Sequence, residues 1–214
     1  MIYLFTSYYK HSNPERQKEL DFCLQKNVDN KSIHKIILFI EGSRPSFESD
    51  KFESFHGRPR YLDFVKFINS NTRFMSSYNI ISNSDIYFGN SLQFLDKIDF
   101  HNKCLALTRH DVDFEGNIVK VPKERFAKSS QDAWIFKGSV LGSSMQKIYC
   151  DFQLGVYGCD NRFAFELNRG GYEILNPCLD IIIYHLHISG IRPKKEVFIE
   201  GPYLDVPICK NFKF

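Results

Sequence analysis

Apolar runs and amphipathic helical patterns alternate along the first half of this chain, and this alternation restricts its fold more than any other feature. Residues 2–5 form a compact apolar run, Asn13-Pro14 is a good helix start, and residues 36–40 form a second apolar run. Asparagine caps helices with its side chain, and proline suits the first helical position. Strand, helix and strand in this order indicate a crossover between parallel strands. We therefore predict one α/β domain over residues 1–214, with a mixed, mostly parallel sheet flanked by helices.

The stretch over residues 78–88, YNIISNSDIYF, combines a short apolar run with a polar interruption. This pattern is typical of a buried strand that ends at an edge of the sheet. Because residues two apart in an extended chain point the same way, we expect Asn83 and Asp85 to face one point beyond the strand. Their oxygens are hard ligands that suit Mg²⁺ or Mn²⁺. Taken alone, Asn83-Ser84-Asp85 fits a polar turn equally well.

Two histidines, His185 and His187, follow a later apolar run and could complete this metal site. They are two residues apart, so both could face one side of a strand. Imidazole is more typical of transition metals than of Mg²⁺, which favours Mn²⁺. Taken alone, the pair is better explained as two ordinary histidines at a strand end, and the residues do not decide which of them would bind the metal.

Asp111-Val112-Asp113 is a competing metal motif, because it is a literal DxD sequence after a predicted strand. Its surroundings are polar on both sides, so a solvated turn explains it well. We therefore rank it second to Asp85. Arg109, just before it, is a candidate for contact with the sugar or phosphates of a sugar-nucleotide donor.

If the chain acts on a sugar nucleotide, Asp160 is the candidate catalytic residue, because a carboxylate near the anomeric carbon can assist displacement of the diphosphate. A plain helix N-cap explains Asp160 too, and the two roles are compatible. Asp132 and Trp134 are candidates for contact with a sugar acceptor, the carboxylate binding hydroxyls and the aromatic face stacking on a ring. Packing in the core explains Trp134 at least as well. Asn161 is a weaker candidate beside Asp160.

Arginines in the loops are candidates for phosphate contact through forked, charged hydrogen bonds. They are Arg58, Arg60 and Arg192. Any one of them is more often a solvated surface side chain.

Composition excludes several classes of protein. The 214 residues are 43% hydrophobic, which allows a full core, and a net charge of +3 is too small and scattered to indicate nucleic-acid binding. The six cysteines form no CxxC pair, so reduced thiols in the cytoplasm are the simplest account. Neither a secretory leader nor a transmembrane segment is predicted. From residue 193 the chain could be a packed tail or the lead into a further domain of a longer protein.

Taken in order, these residues resemble the GT-A-fold, metal-dependent glycosyltransferases that use nucleotide-diphosphate sugars. The resemblance is closest to a branch in which NSDIYF replaces the usual DxD motif. It extends to the N-terminal domain of a chlorella-virus glycosyltransferase that acts on the major capsid protein. The stretches that carry it are Thr6-Ser7-Tyr8-Tyr9, Arg60-Tyr61, Ile81 to Ile86, Ser130 to Trp134, Gly158 to Asn161 and His185 to Gly190.

The resemblance implies a GT-A-like fold and a role for each motif. Thr6, Ser7, Tyr8 and Tyr9 would line the uracil and ribose pocket. Asp85 would anchor Mn²⁺ or Mg²⁺ with Asn83 or Ser84 beside it, and His185 or His187 would be the second protein ligand. Asp160 would lie near the reacting carbon. Asn83 departs from the family pattern, which has a carboxylate there, and one negative charge fewer should weaken metal binding in the free protein.

The expected activity is transfer of a hexose or deoxyhexose from a UDP-sugar, with UDP-glucose and UDP-rhamnose as candidate donors. The expected acceptor is a glycan or glycoprotein, in the viral case a capsid glycan in the host cytoplasm. Two alternatives stay open. A nucleotidyltransferase would need a glycine-rich, lysine-bearing loop, whereas Thr6 to Tyr9 contains no glycine. A catalytically silent module that binds sugar or nucleotide is the other.

Overall fold

The computed structural model describes residues 1–140, 148–191, 198–210 and 212, and it contains two sheets. The large sheet consists of β1 (Ile2–Tyr9), β2 (Lys35–Glu41), β3 (Phe52–His56), β4 (Tyr78–Ser82), β6 (Lys103–Leu107), β9 (Ala133–Lys137) and β10 (Glu173–Leu175). The small sheet consists of β5 (Ile86–Phe88), β7 (His110–Val112), β8 (Ile118–Lys120) and β11 (Ile183–Leu186). The α-helices are α1 (Pro14–Asp29), α2 (Tyr61–Asn69), α3 (Glu124–Ala127) and α4 (Cys159–Arg169), and two 3₁₀ helices span Thr72–Phe74 and Asn90–Lys97.

Strands of the large sheet follow the order β10-β6-β9-β4-β1-β2-β3. Every neighbouring pair is parallel except the two that involve β9, which runs antiparallel to β4 and β6. The carboxyl ends of β1, β2, β4 and β6 therefore meet the start of β9 at one edge of the sheet. Open α/β sheets bind their ligands at this edge. We call it the carboxyl edge.

Helices cover both faces of the large sheet. One core holds Leu24 of α1 with Leu4 of β1, and the other holds Phe64 of α2 and Phe163 of α4 with Phe5. Adjacent residues of β1 thus face opposite cores, as the alternation of a buried strand requires. The predicted mixed, mostly parallel sheet flanked by helices is confirmed. No helix within the described ranges is long and apolar enough to cross a membrane.

Several predicted elements have other boundaries in the structure. Strand β3 is an edge strand with half-exposed side chains, and no apolar run marks it in the sequence. Strand β11 includes His185, so only His187 lies beyond the strand end. Helix α4 begins at Cys159, with Gly158 at its N-cap in a left-handed conformation (φ 85°). Asp160 therefore lies in the first turn of α4 and is not its cap.

Candidate metal centre and active-site edge

Asn83-Ser84-Asp85 connects the large sheet to the small one, and its two outer side chains have different partners. The Asn83 side chain donates a hydrogen bond to Asp132 Oδ1 at 3.2 Å, and its backbone N–H bonds to the Asp132 carbonyl. Asp85, just before β5, contacts Arg16 and His185 instead. The expectation that Asn83 and Asp85 face one point is therefore not met. Ser84 is half-buried between them.

Asp85, His185 and His187 form a cluster that could hold a metal ion. One ligand atom from each side chain lies within 4.8 Å of the others. Asp85 Oδ2 lies 3.3 Å from His185 Nε2 and 3.9 Å from His187 Nδ1. All three side chains are largely buried, with exposed fractions of 15%, 6% and 8%. The residues predicted as metal ligands are thus brought together.

Asp111 orients His185 from the neighbouring strand. The register of β11 with β7 places His185 opposite Asp111, and His185 Nδ1 lies 2.7 Å from Asp111 Oδ1. This contact leaves Nε2 directed at Asp85. A carboxylate behind a histidine is the usual arrangement around metal ligands, because it fixes the ring and raises its basicity. Asp113 instead accepts hydrogen bonds from Asn117 in an exposed turn. Within the DxD sequence, Asp111 therefore contacts His185, whereas Asp113 stabilises an exposed turn.

Charge compensation shifts the pKa of each acid and base in the cluster. Burial alone would raise the pKa of Asp85, but His185 and Arg16 outweigh it and hold that pKa far below its usual range. Burial would lower the pKa of His185, but Asp85 and Asp111 raise it to about 9. For His187, burial and the charge of Arg16 lower the pKa. The cluster thus holds a permanent carboxylate between two rings of different basicity.

Arg16 is a functional candidate that the sequence did not reveal. Its Nη2 lies 2.5 Å from Asp85 Oδ2, and its Nη1 lies 2.9 Å from Glu19 Oε2 one turn later in α1. Its side chain is only 6% exposed. A buried arginine in the first turn of a helix that starts at the carboxyl edge is a weak signal. Nothing in the local sequence links it to a carboxylate 69 residues away.

A second cluster surrounds Asp132, which precedes β9 at the same edge. Asp132 Oδ1 accepts hydrogen bonds from Arg109 Nη1 at 2.7 Å and from Asn83. Asp132 Oδ2 is buried and has no hydrogen-bond partner among the described residues. Arg109 Nε lies 3.4 Å from Asp111 Oδ1, so Arg109 joins this cluster to the histidine cluster. Arg109, predicted to contact the donor, therefore lies between the two candidate centres.

Asp160 reaches the carboxyl edge from the first turn of α4. Its Oδ1 accepts a weak hydrogen bond from Cys159 Sγ at 3.3 Å. Burial and then the negative charge of Asp132 raise the pKa of Asp160 from the ordinary 3.8 to about 7. Asp160 is therefore near its titration midpoint at neutral pH, which suits a group that exchanges protons with a substrate. Asn161 points elsewhere and donates to the Leu204 carbonyl.

The structure divides the predicted uracil and ribose residues between two faces of β1. Thr6 donates to the Ser82 carbonyl, and Tyr8 donates to Asp21, so both are buried with partners of their own. Ser7 and Tyr9 are half-buried at the carboxyl edge. Only the second pair is accessible to a nucleotide.

Three further predicted residues lie away from the two clusters. Trp134 is 1% exposed, and its ring packs edge-on against Phe163, so the stacking face predicted for an acceptor is covered. Arg60 is exposed at the start of α2 and pairs with Asp151 at 2.7 Å. Arg58 is exposed near Glu41. Arg192 lies outside the described residues.

The donor set fits a divalent transition metal. One carboxylate and two imidazoles are typical of Mn²⁺ and its neighbours, and three protein ligands leave positions for phosphate oxygens or water. His187 Nε2 is buried without a hydrogen-bond partner among the described residues, so that ring is not fully satisfied by protein contacts. Arg16, however, already contacts Asp85 Oδ2. A metal at Asp85 must share that carboxylate with a guanidinium.

Comparisons with known proteins identify the fold. No family model matches the chain, and no curated protein matches it. The solved 4-diphosphocytidyl-2C-methyl-D-erythritol synthase from Anaerococcus prevotii is 14% identical over 91% of each chain, with a TM-score of 0.52. TarS from S. aureus is 14% identical with a TM-score of 0.50, over 87% of this chain but 36% of its own. At such identities the likeness shows the fold alone, and the predicted GT-A-like α/β class is confirmed.

Proposed function

We propose that this chain is a metal-dependent transferase that moves a hexose or deoxyhexose from a UDP-sugar to a hydroxyl group of a glycan acceptor. The observation that carries the proposal is the cluster of Asp85, His185 and His187 at the carboxyl edge. A carboxylate with two imidazoles suits Mn²⁺, and this edge is where α/β sheets bind nucleotides. The fold likeness to a synthase of a diphosphocytidyl compound supports a nucleotide at this edge.

Each cluster has its own role in this proposal. Asp85, His185 and His187 would hold Mn²⁺ or Mg²⁺, and the bound ion neutralises charge on the diphosphate leaving group. Asp111 keeps His185 in the ligating orientation. Ser7 and Tyr9 are the accessible candidates for the nucleoside, and Arg109 can donate to the sugar or phosphates beside Asp132. The family resemblance alone supports three parts of the proposal: the hexose, the glycan acceptor and a viral capsid as the carrier of that acceptor.

Asp160 and Asp132 serve the displacement itself. The acceptor hydroxyl oxygen bonds to the anomeric carbon, the bond from that carbon to the diphosphate oxygen breaks, and UDP leaves. The hydroxyl proton needs an acceptor, and Asp160 has a pKa of about 7 that suits a base at neutral pH. Asp132 Oδ2, which has no protein partner in the described part of the chain, is available to a sugar hydroxyl.

Calorimetric titration with UDP tests the donor site. We expect UDP to bind the wild-type protein with Mn²⁺ and at least tenfold more weakly without it. Asp85→Ala should abolish the gain from Mn²⁺, because the cluster loses its only carboxylate ligand. Asp113→Ala should retain it, because Asp113 caps an exposed turn. If Asp113→Ala loses the gain and Asp85→Ala keeps it, the metal site lies at the DxD sequence. If UDP does not bind at all, the UDP-sugar proposal is wrong.

A second candidate is nucleotidyl transfer, in which a sugar phosphate attacks a nucleoside triphosphate. The likeness to the diphosphocytidyl synthase over 91% of both chains favours it. The segment after β1, KHSNP, has no glycine for a phosphate-cradling loop, which disfavours it. The two activities release different products. We expect UDP from UDP-glucose and no pyrophosphate from UTP with glucose 1-phosphate, whereas a silent binding module would yield neither.

A further inference from the structure

Arg16 contacts Asp85 Oδ2, the carboxylate oxygen that also faces both histidines of the proposed metal site. Its Nη2 lies 2.5 Å from Asp85 Oδ2, and the same oxygen faces His185 Nε2 at 3.3 Å and His187 Nδ1 at 3.9 Å. A fixed positive charge therefore already occupies the carboxylate to which a divalent cation would bind. Because Arg16 stays protonated under all ordinary conditions, deprotonation cannot remove this competitor.

Two chain segments hold Arg16 in this position. From its own helix, Glu19 Oε2 accepts from Arg16 Nη1 at 2.9 Å. Glu19 also accepts hydrogen bonds from the backbone N–H of Ser189 at 2.6 Å and from its hydroxyl at 3.0 Å. Ser189 lies two residues after His187, so the segment that carries the histidines is tied to the helix that carries Arg16. The guanidinium is thus a built part of the site and not a passing surface contact.

Asp85 carries a single negative charge, and Arg16 already pairs with it in this largely buried site. A divalent ion at Asp85 would therefore face the positive charge of the guanidinium at close range, and this repulsion would weaken metal binding. A nucleoside diphosphate would bring negative charge to both cations. Its oxygens also match the forked donors of arginine.

We propose that Arg16 competes with the metal for Asp85 until a nucleoside diphosphate draws its guanidinium to the phosphates. Mn²⁺ then binds weakly to the free protein and tightly with the donor. Arg16 is in this sense a positioning residue that makes metal binding conditional on the donor. This inference rests on the proposed function, since it takes Asp85, His185 and His187 as the metal site.

The test is Mn²⁺ affinity without any turnover. Free Mn²⁺ is counted by its electron paramagnetic resonance signal during titration of the wild type and of Arg16→Met, each with and without UDP. We expect Arg16→Met to bind Mn²⁺ at least tenfold more tightly than the wild type in the absence of UDP. We also expect UDP to improve Mn²⁺ binding much less in the variant. If Arg16 only supported the fold of the site, Arg16→Met would bind Mn²⁺ more weakly than the wild type, not more tightly.

Two further variants keep this test decisive. Arg16→Met leaves Glu19 buried without its arginine, so the double variant Arg16→Met/Glu19→Gln removes that charge and should bind Mn²⁺ equally tightly. Arg125→Met removes an exposed arginine of α3 and should bind like the wild type. Circular dichroism and melting curves identify any variant that fails to fold.

The outcomes separate this inference from the proposed function. If the wild type binds Mn²⁺ with UDP but neither Arg16 variant binds Mn²⁺ more tightly without it, the competition is wrong and the metal site stands. If no protein binds Mn²⁺ under either condition, both the competition and the metal site are wrong. Tight binding of Mn²⁺ to the wild type in the absence of UDP also overturns the proposed competition.

Discussion

The two carboxylate clusters at the carboxyl edge balance their charges in different ways. Asp85 lies against Arg16 and His185, and its pKa is held far below the usual range. Within the described residues Asp132 is paired through one oxygen only, and its neighbour Asp160 has a pKa raised to about 7. In the first cluster, Asp85 keeps its charge at every physiological pH. The second contains a carboxyl group that gains or loses a proton near neutrality.

This difference suits the two clusters to the two roles proposed for them, metal binding and proton transfer. A carboxylate that stays ionised is suited to hold a cation, whereas a carboxyl group near its midpoint is suited to exchange a proton. Arg109 is the physical connection between them, because it donates to Asp132 through Nη1 and approaches Asp111 through Nε. Loss of Arg109 should therefore disturb both clusters.

The largest expected effect is that of Arg109→Met on stability. Asp132 is 5% exposed, and without Arg109 its charge would keep, among the residues that the structure describes, only the Asn83 amide as a partner. Removing one member of a buried ion pair costs about 3 kcal/mol, because the other charge stays buried and uncompensated. We expect a loss of that size in the free energy of unfolding, measured by urea titration at pH 8 with the fluorescence of Trp134.

The matched control for Arg109→Met is the double variant Arg109→Met/Asp132→Asn. It removes both charges, so at least half of the lost stability should return. If Arg109→Met costs less than about 0.5 kcal/mol, the pair behaves like an exposed ion pair and the two clusters are not joined electrostatically.

Asp160→Asn should sharpen the comparison through pH. The unfolded chain loses the Asp160 proton near pH 3.8, whereas the folded protein keeps it up to about pH 7. The folded state therefore binds more protons between these values, and stability from this group falls as pH rises through that window. A neutral amide at this position has no proton to lose and carries no such penalty. We expect Asp160→Asn to be more stable than the wild type at pH 8, by on the order of 2 kcal/mol, and equally stable at pH 4.

Urea unfolding of both proteins at pH 4 and pH 8 measures that difference. Glu15→Gln is the matched control. Glu15 lies in the first turn of α1, as Asp160 lies in the first turn of α4, but the Glu15 carboxylate is exposed. Glu15→Gln should show no change with pH relative to the wild type. A destabilised Asp160→Asn at pH 8 would mean that Asp160 is ionised and paired in the folded protein.

The sequence predicted the large sheet well, because buried parallel strands are short apolar runs and capped helices connect them. It also singled out Asp85, His185 and His187, which the structure brings together, since each lies next to an apolar run. The partners of these residues were beyond its reach. Arg16 meets Asp85 across 69 residues, and Asp111 meets His185 across 74.

Such contacts depend on register and on helix placement, which no local pattern records. The small sheet joins β5, β7 and β11 from three distant parts of the chain, and its pairing decides that His185 faces Asp111. Edge strand β3 escaped prediction for a different reason. Its exposed side chains break the apolar run by which a buried strand is recognised.

Asp111→Ala should have the smallest effect of the three, and it decides whether Asp111 orients a ligand or is one. If Asp111 only fixes the His185 ring, its loss should weaken Mn²⁺ binding in the presence of UDP by about tenfold, the lower end of effects from groups behind a metal ligand. UDP binding without Mn²⁺ should not change, since no predicted nucleotide contact involves Asp111. Calorimetric titration of Mn²⁺ in the presence of UDP, and of UDP without Mn²⁺, measures both affinities. Complete loss of the Mn²⁺ effect, equal to that of Asp85→Ala, would make Asp111 a metal ligand and would move the centre toward β7.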